Sequence, residues 1–165
     1  MQGSNVKNFS ASKQQQEEQE LIDVISKDLN IELILIKNAR NMDAVNTKTG
    51  TKWELKSDTY FTKTDGIAFE LFASYMPGYD RPREPGWAYR YATPAGPDMI
   101  AFHNKEKIAV YDSKALMRYF FNNMDKLGTG EWKIKVGVAH NPETMLVIVP
   151  RKEIEQFLKK EMENK

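Results

Sequence analysis

The segment KWELKSD, residues 52–58, constrains the fold more than any other part of the chain, because it follows directly after a turn-like TKTG. Successive side chains of an extended strand point to opposite faces. Glu54 and Lys56 are therefore neighbours on one face, whereas Trp53 and Leu55 lie on the other. The simplest interpretation is an antiparallel strand with one packed face and one solvated face, on which the charged side chains pair.

The residues before this strand complete a β-hairpin. The run MDAVNTKTGTKWELKS contains a Thr47–Gly50 turn with glycine where such turns favour it. If Thr47 lies opposite Gly50, Asp43 lies directly across from Glu54, with β-carbons about 5 Å apart on one face. A bulge at Gly50 would shift this register by one residue. The preferred register thus brings two carboxylates together.

Length and periodicity predict one domain that follows a polar tail. The chain has 165 residues, which suits a single core. Residues 1–12 are polar, and we expect a disordered tail there. A capping box formed by Ser12 and Gln15, followed by apolar residues at helical spacing, predicts a first helix over 13–29. The domain therefore covers 13–165.

Strand-like runs dominate the rest of this domain and predict an α/β fold with a central β-sheet flanked by helices. One helix, capped by Asp112 or Ser113, interrupts the series of strands. A closing helix begins at about Pro150, after the last strand. We expect two or three helices and five to seven strands in one sheet. Beyond the hairpin, the strand-like runs are 31–36, 66–74, 98–103, 107–112, 132–139 and 144–150.

Charge and residue types limit the partners and sites that are available. The net charge of +1 is too small for bulk electrostatic binding of nucleic acid, so such a partner needs a local patch. Cysteine is absent and histidine occurs twice, so carboxylates must hold any metal ion. No apolar run approaches the ~20 residues that span a bilayer, and the N-terminal stretch lacks the apolar core of a secretory signal. We expect no membrane partner and a cytoplasmic location.

The predicted pair of carboxylates favours a metal site. Two such groups repel unless a cation lies between them. Mg²⁺ takes one or two carboxylates and completes its shell with water, a backbone carbonyl and substrate phosphate. The carbonyl of Leu55 is well placed for this, and Lys56 can orient or deprotonate a water or stabilise charge on the phosphate. Asp43, Glu54 and Lys56 could therefore hydrolyse a phosphodiester.

An acid of the first helix is a further candidate. The apolar stripe of this helix, extended by one turn toward the N-terminus, reaches Glu18. One turn before Leu21 lies Glu17 instead. One of these two acids can therefore lie at the edge of the core-facing side. Acids in a first helical turn are also common as solvated groups that the helix dipole favours.

The ordered set of Asp43, then Glu54-Leu55-Lys56, then GIAFELF with Glu70 resembles the core of the PD-(D/E)XK nuclease superfamily. The run GWAYRYATPAGPDMIAFHNKEKIAVYD is similar to the segment after this core in phage-type members. The resemblance covers about 13–125, and Met42 stands where the family has proline.

This resemblance implies a restriction-endonuclease-like fold, a central mixed sheet with helices on both sides. It further implies that Asp43 and Glu54 bind Mg²⁺ or Mn²⁺ and that Lys56 is the catalytic lysine. Glu18 would be an auxiliary ligand or would orient a ligand, with Glu17 as its rival. The implied protein is a deoxyribonuclease, phage-encoded and acting in the host cytoplasm. Many such nucleases dimerise to cut both strands, so a homodimer is a further expectation.

A Pro/Gly-rich stretch over 75–97 is the predicted contact surface for DNA. Arg81, Arg83 and Arg90 can bind phosphates, and Trp87 can stack on an unpaired base. The alternative is that the aromatic side chains pin this loop to the protein body.

Two other functions fit the same sequence. A catalytically inactive module that keeps the nuclease fold would bind DNA or protein without metal dependence. A structural phage or mobile-element protein could carry the E-x-K pattern by accident. In that case Asp43 and Glu54 would lie on opposite faces of their strands.

Overall fold

The hairpin expected from the sequence contributes two strands to a mixed six-stranded sheet in an α/β fold. The computed structural model describes residues 2–37, 39, 42–73, 84–136 and 144–165. In chain order the strands are β1 (Leu33–Leu35), β2 (Ala44–Asn46), β3 (Lys52–Ser57), β4 (Gly66–Ala73), β5 (Glu84–Pro85), β6 (Met99–His103), β7 (Lys107–Asp112), β8 (Lys133–Val136), β9 (Met145–Pro150) and β10 (Leu158–Glu163). The helices are α1 (Gln2–Leu29), α2 (Tyr60–Lys63), α3 (Trp87–Tyr91), α4 (Ser113–Asn122) and α5 (Arg151–Ile154).

The six-stranded sheet places β3 in its interior. The strand order is β1-β2-β3-β6-β7-β10, with β3 and β6 parallel and the other neighbouring pairs antiparallel. The starts of β3 and β6 are joined by Asp98, whose N–H donates to the carbonyl of Lys52 at 2.9 Å and whose Oδ2 accepts from the N–H of Lys52 at 2.9 Å. These bonds fix β3 relative to the β6–β7 hairpin, which forms as the sequence predicts.

A second sheet, which is antiparallel and four-stranded, has the order β5-β4-β9-β8. The expectation of one sheet is therefore wrong. The run GIAFELFA does form the buried strand β4, but β4 pairs with β9, far along the chain, and not with the β2–β3 hairpin. Pairing between distant strands leaves no local pattern in the sequence.

Two hydrophobic clusters lie on opposite faces of the six-stranded sheet. On one face, α1 packs Leu21, Ile22 and Ile25 against Trp53 and Leu55 of β3. The other face packs against α3, α4 and the second sheet through a set that includes Phe69, Trp87, Phe102, Phe120, Trp132 and Val147. The sheet is thus covered on both sides.

The interior place of β3 corrects the expectation of a half-solvated strand. Trp53, Glu54 and Leu55 are all buried, and Lys56 is half-buried. The face that carries the charged side chains is covered because α3 lies across it. Glu54 is therefore held inside the protein, and Lys56 beside it is only partly exposed.

Both predicted chain ends differ from the structure. α1 begins at Gln2, so it includes residues expected to form a disordered tail, and the predicted capping box lies within the helix. Gln, Lys and Ala are good helix formers, so polarity alone does not end a helix. The predicted closing helix is only the single turn α5. It gives way to β10, which pairs with β7 and buries Met162, because tertiary pairing outweighs a local helical pattern.

Among the helices that the structure describes, none is long and apolar enough to cross a membrane.

Candidate functional site

The turn of the first hairpin determines which residues face each other. Asn46 accepts hydrogen bonds through Oδ1 from the N–H groups of Lys48 at 3.0 Å and Thr49 at 3.3 Å, and Gly50 adopts φ 73°. Glycine adopts a positive φ without the steric cost that a β-carbon brings, so Gly50 suits this turn. The resulting register pairs Ala44 with Trp53 and Val45 with Lys52.

The ladder ends at the pair of Ala44 and Trp53, and Asp43 lies in the bend just before β2, so the direct pairing of Asp43 with Glu54 that the hairpin pattern predicts is not part of it. The backbone of Asp43 is bound on both sides: its N–H donates to the carbonyl of Trp53 at 2.8 Å, and its carbonyl accepts from Ile36 at 2.8 Å. The side chain then bonds across the hairpin, since Oδ2 accepts from the N–H of Leu55 at 2.8 Å. Asp43 is therefore fixed beside the E-x-K segment.

Leu55 lies between the two candidate catalytic side chains of β3. The N–H and the carbonyl of one strand residue point to the same edge of the strand. Because the N–H of Leu55 points to Asp43, its carbonyl also faces the Asp43 edge and not β6. This is the direction expected of a backbone ligand beside the carboxylates.

The carboxylate of Glu54 has one satisfied oxygen and one unsatisfied oxygen. Oε1 accepts a hydrogen bond of 2.6 Å from the hydroxyl of Tyr91 and lies 3.7 Å from Nζ of Lys56. Oε2 is buried and accepts no hydrogen bond from the described residues. A buried carboxylate oxygen without a donor is unfavourable unless a proton or a cation binds it.

The surroundings of Glu54 raise the pKa of its carboxyl to about 7. Burial is the largest cause, because it disfavours the charged form. The nearby charge of Asp43 raises the pKa further, whereas the hydrogen bond from Tyr91 and the charge of Lys56 oppose the rise. The carboxyl of Glu54 therefore keeps its proton to a higher pH than an exposed glutamate does.

Lys56 is held against two aromatic rings. Its Nζ lies 5.8 Å from the ring centroid of Trp87 and 5.4 Å from that of Tyr91, distances at which a cation is attracted to a ring face. Its side chain is 26% exposed, so the amine still reaches solvent. Lys56 is therefore oriented by its neighbours while one side remains open to a ligand.

The first helix supplies an acid to the same region. Burial raises the pKa of Glu18, and the charge of Asp43 raises it further, against a hydrogen bond from Gln14 at 3.4 Å. Glu17 instead acts on His103, whose pKa is lowered by burial while the charges of Asp43 and Glu17 oppose that effect. Of the two acids left open by the sequence, Glu18 is the one whose pKa the charge of Asp43 raises.

The predicted DNA contacts are only partly described. Arg81 and Arg83 lie outside the described residues. Arg90 is exposed on α3 and lies next to Tyr91 in the chain, so it lies close to the site. Burial raises the pKa of Tyr91, and the charge of Arg90 opposes that rise. Trp87 is only 6% exposed and packs against Phe69, with ring centroids 5.4 Å apart. The prediction that Trp87 stacks on a base is wrong, because its ring is buried; it pins α3 to the body, as the alternative proposed.

Sequence reasoning placed Tyr91 only among the aromatic residues of the 75–97 stretch and missed its contact with Glu54. Tyr91 lies in a stretch rich in proline and glycine, which predicts loop, yet the structure forms the short helix α3 there. No spacing relative to Glu54 marks the contact, because the two residues meet only through the fold. The aromatic pair Trp87 and Tyr91, four residues apart, was the one available signal of a helical turn with a packed face.

The donor set fits a hard divalent cation in part. Within the described ranges, no group of three or more acids or histidines is arranged to hold a metal ion. The pair Asp43 and Glu54 still offers carboxylate oxygens, one of them the buried and unpaired Oε2. Mg²⁺ needs only one or two carboxylates when water and substrate phosphate complete the shell. The residues present are therefore compatible with such an ion.

Comparison of the chain with models of protein families, with curated proteins and with solved structures gives no match.

Proposed function

We propose that this protein is a metal-dependent nuclease that hydrolyses phosphodiester bonds of DNA, on a restriction-endonuclease-like variant of its α/β fold. The single observation that carries the proposal is the convergence of Asp43, Glu54 and Lys56 across one hairpin. Oδ2 of Asp43 accepts a hydrogen bond of 2.8 Å from the N–H of Leu55, the neighbour of Glu54, and Lys56 Nζ lies 3.7 Å from Glu54 Oε1. A structural protein with an accidental E-x-K would not require this arrangement.

In this proposal Asp43, Glu54 and the carbonyl of Leu55 bind Mg²⁺ or Mn²⁺, and Glu18 is the auxiliary acid. When bound, such an ion neutralises charge on the phosphate and lowers the pKa of a bound water. Glu54 must lose its proton before it can bind a cation, since Oε2 then carries the charge. Asp43 stays oriented through its hydrogen bond to Leu55.

Lys56 is proposed as the catalytic lysine. Its amine lies beside Glu54 and is partly open to solvent, so it can donate to a water or to a phosphate oxygen as negative charge develops. Arg90, exposed on α3 near the site, is the described residue that best suits a phosphate contact. The proposed partner is DNA in the cytoplasm of a host cell, and a homodimer would allow both strands to be cut.

The test is cleavage of single-stranded, duplex and branched DNA with Mg²⁺ or Mn²⁺. We expect Lys56→Ala to lower the rate by about 10²-fold or more, the usual contribution of a positioned acid or base. Lys52→Ala is the matched control, because Lys52 lies on the same face of the same strand. It should cut as the wild type does.

Two results would contradict the proposal: no cleavage of any substrate by the wild type, or equal cleavage by Lys56→Ala. The alternative, an inactive binding module, predicts DNA or protein binding that survives Asp43→Ala and does not depend on a metal ion.

A further inference from the structure

The helix α3 is fixed at its N-terminal end by contacts that leave little room for movement. The N–H of Gly86 donates to the carbonyl of Leu71 at 2.9 Å, and a β-carbon on Gly86 would lie only 2.1 Å from the carbonyl oxygen of Glu70. The side chain of Glu70 accepts from the N–H of Trp87 at 3.3 Å. The first residue of α3 is thus bound directly to β4.

The C-terminal end of α3 is also held closely. A β-carbon on Gly96 would lie 2.3 Å from the carbonyl oxygen of Tyr91, so the following turn packs directly on this residue. Nζ of Lys114 donates to the carbonyl of Pro94 at 3.3 Å and ties this turn to α4. With both ends fixed, the side chain of Tyr91 has a defined position.

Tyr91 contacts both side chains that β3 supplies to the candidate site. Its hydroxyl donates to Oε1 of Glu54 at 2.6 Å, and the centroid of its ring lies 5.4 Å from Nζ of Lys56. The side chain is 2% exposed, so water does not compete for these contacts. The hydrogen bond occupies one carboxylate oxygen and leaves Oε2 without a donor from the described residues.

We propose that Tyr91 is a positioning residue: its hydroxyl orients the Glu54 carboxylate so that Oε2 is the oxygen presented to a divalent cation, and its ring orients Lys56. This inference rests on the proposed function. Outer hydrogen bonds to metal-binding carboxylates commonly change metal affinity or activity by about 10–100-fold. Tyr91 does not itself touch the substrate or the ion.

The experiment measures the affinity of the full chain for Mn²⁺. Electron paramagnetic resonance reports the concentration of the free ion during the titration. Tyr91→Phe removes the hydroxyl and keeps the ring, so the packing of α3 and the contact with Lys56 remain. We expect Mn²⁺ affinity to fall by about tenfold or more. Tyr89→Phe is the matched control, because Tyr89 lies on the same helix but is exposed. The centroid of its ring lies 4.9 Å from that of Phe121. This control should bind Mn²⁺ as the wild type does.

Each outcome decides the inference. If the wild type binds Mn²⁺ and Tyr91→Phe binds it equally well, the role of Tyr91 is overturned and the proposed function stands. If Tyr89→Phe weakens binding as much as Tyr91→Phe, the effect belongs to α3 as a whole, which also overturns it. If the wild type binds no Mn²⁺, both proposals fail.

A second measurement uses the unaltered protein, so it does not depend on the folding of a variant. In a ¹³C-tyrosine-labelled chain, the Cζ resonance of Tyr91 should move when Mg²⁺ binds, because the charge on its partner carboxylate changes. A resonance that stays in place at saturating Mg²⁺ would overturn the inference.

Discussion

The Oδ2 atom of Asp43 accepts a hydrogen bond of 2.8 Å from the backbone N–H of Leu55, the residue between Glu54 and Lys56. A carboxylate thus takes the place that a backbone carbonyl would hold if the ladder between β2 and β3 continued. Asp43 is therefore positioned by the backbone of the hairpin together with Ile36, the residue that follows β1. This bond links the turn chemistry at Gly50 to the geometry of the site.

The first prediction concerns stability without metal. The pKa of Glu54 is about 7 in the folded state, above its ordinary value of 4.5. The contribution of Glu54 to the free energy of unfolding is therefore fully present below pH 4.5 and is lost as the pH rises through 7. Glu54→Gln removes this loss. We expect the variant to be more stable than the wild type at about pH 8, by on the order of 3 kcal/mol, and similar to it at about pH 4.

Urea unfolding in the presence of a chelator measures this difference. Glu20→Gln makes the same charge change at an exposed position of α1 and should show no such dependence on pH. If Glu54→Gln were less stable than the wild type at both pH values, the carboxyl of Glu54 would not carry a buried charge at neutral pH.

The second prediction concerns the pH dependence of metal binding. A cation must displace the proton from Glu54, so Mn²⁺ affinity should rise about tenfold per pH unit below 7 and level off above it. Calorimetric titration between about pH 5.5 and 8.5 measures the profile. An affinity that does not change with pH would show that Glu54 is not a ligand.

The third prediction distinguishes two reasons why a position requires glycine: a lack of space for a β-carbon, as at Gly86, and a positive φ, as at Gly50. Gly86→Ala places a β-carbon 2.1 Å from the carbonyl oxygen of Glu70, so the backbone must shift and α3 with it. We expect a loss of about 1–3 kcal/mol in unfolding free energy together with weaker Mn²⁺ binding, because Tyr91 moves. Gly50→Ala has open space but φ 73°, and it should cost only about 1–2 kcal/mol.

Thermal unfolding and Mn²⁺ titration of Gly86→Ala and Gly50→Ala, each on a single preparation, check this prediction. Unchanged metal affinity in Gly86→Ala would argue that α3 does not position the site.

The fourth prediction concerns the start of α4. Oδ1 of Asp112 accepts from the N–H of Ala115 at 3.1 Å, whereas the hydroxyl of Ser113 is buried without a hydrogen-bond partner among the described residues. Asp112→Ala should therefore lower the unfolding free energy by about 1 kcal/mol. Ser113→Ala should leave it unchanged or raise it. The opposite order in denaturant unfolding would assign the cap to Ser113.

Local features of the fold were predictable from the sequence, and distant ones were not. The β2–β3 hairpin and the β6–β7 hairpin are specified by their own turns, and α4 by its cap. The second sheet arises from pairing between β4 and β9, and β10 from pairing with β7. Such contacts depend on the packing of the whole chain, which no short pattern encodes.

The same division applies to the candidate site. The position of Asp43 beside the E-x-K segment follows from a short hairpin and was predictable, whereas its direct pairing with Glu54 is not part of the ladder. The burial of Glu54 was not predictable, because it depends on α3 crossing a face that alternation alone assigns to solvent. The contact of Tyr91 with Glu54 was missed and Trp87 was assigned to DNA for one reason: composition predicts loop where packing forms a helix.

Anomalous diffraction from a crystal soaked in Mn²⁺ tests the central claim most directly. The account predicts a peak between Asp43 and Glu54 Oε2, with the carbonyl of Leu55 completing the protein ligands at roughly 2.0–2.2 Å, as expected for a hard cation with oxygen ligands. Occupancy should disappear in Glu54→Gln. A saturated crystal with no peak there, or with Mn²⁺ bound only elsewhere, would contradict it.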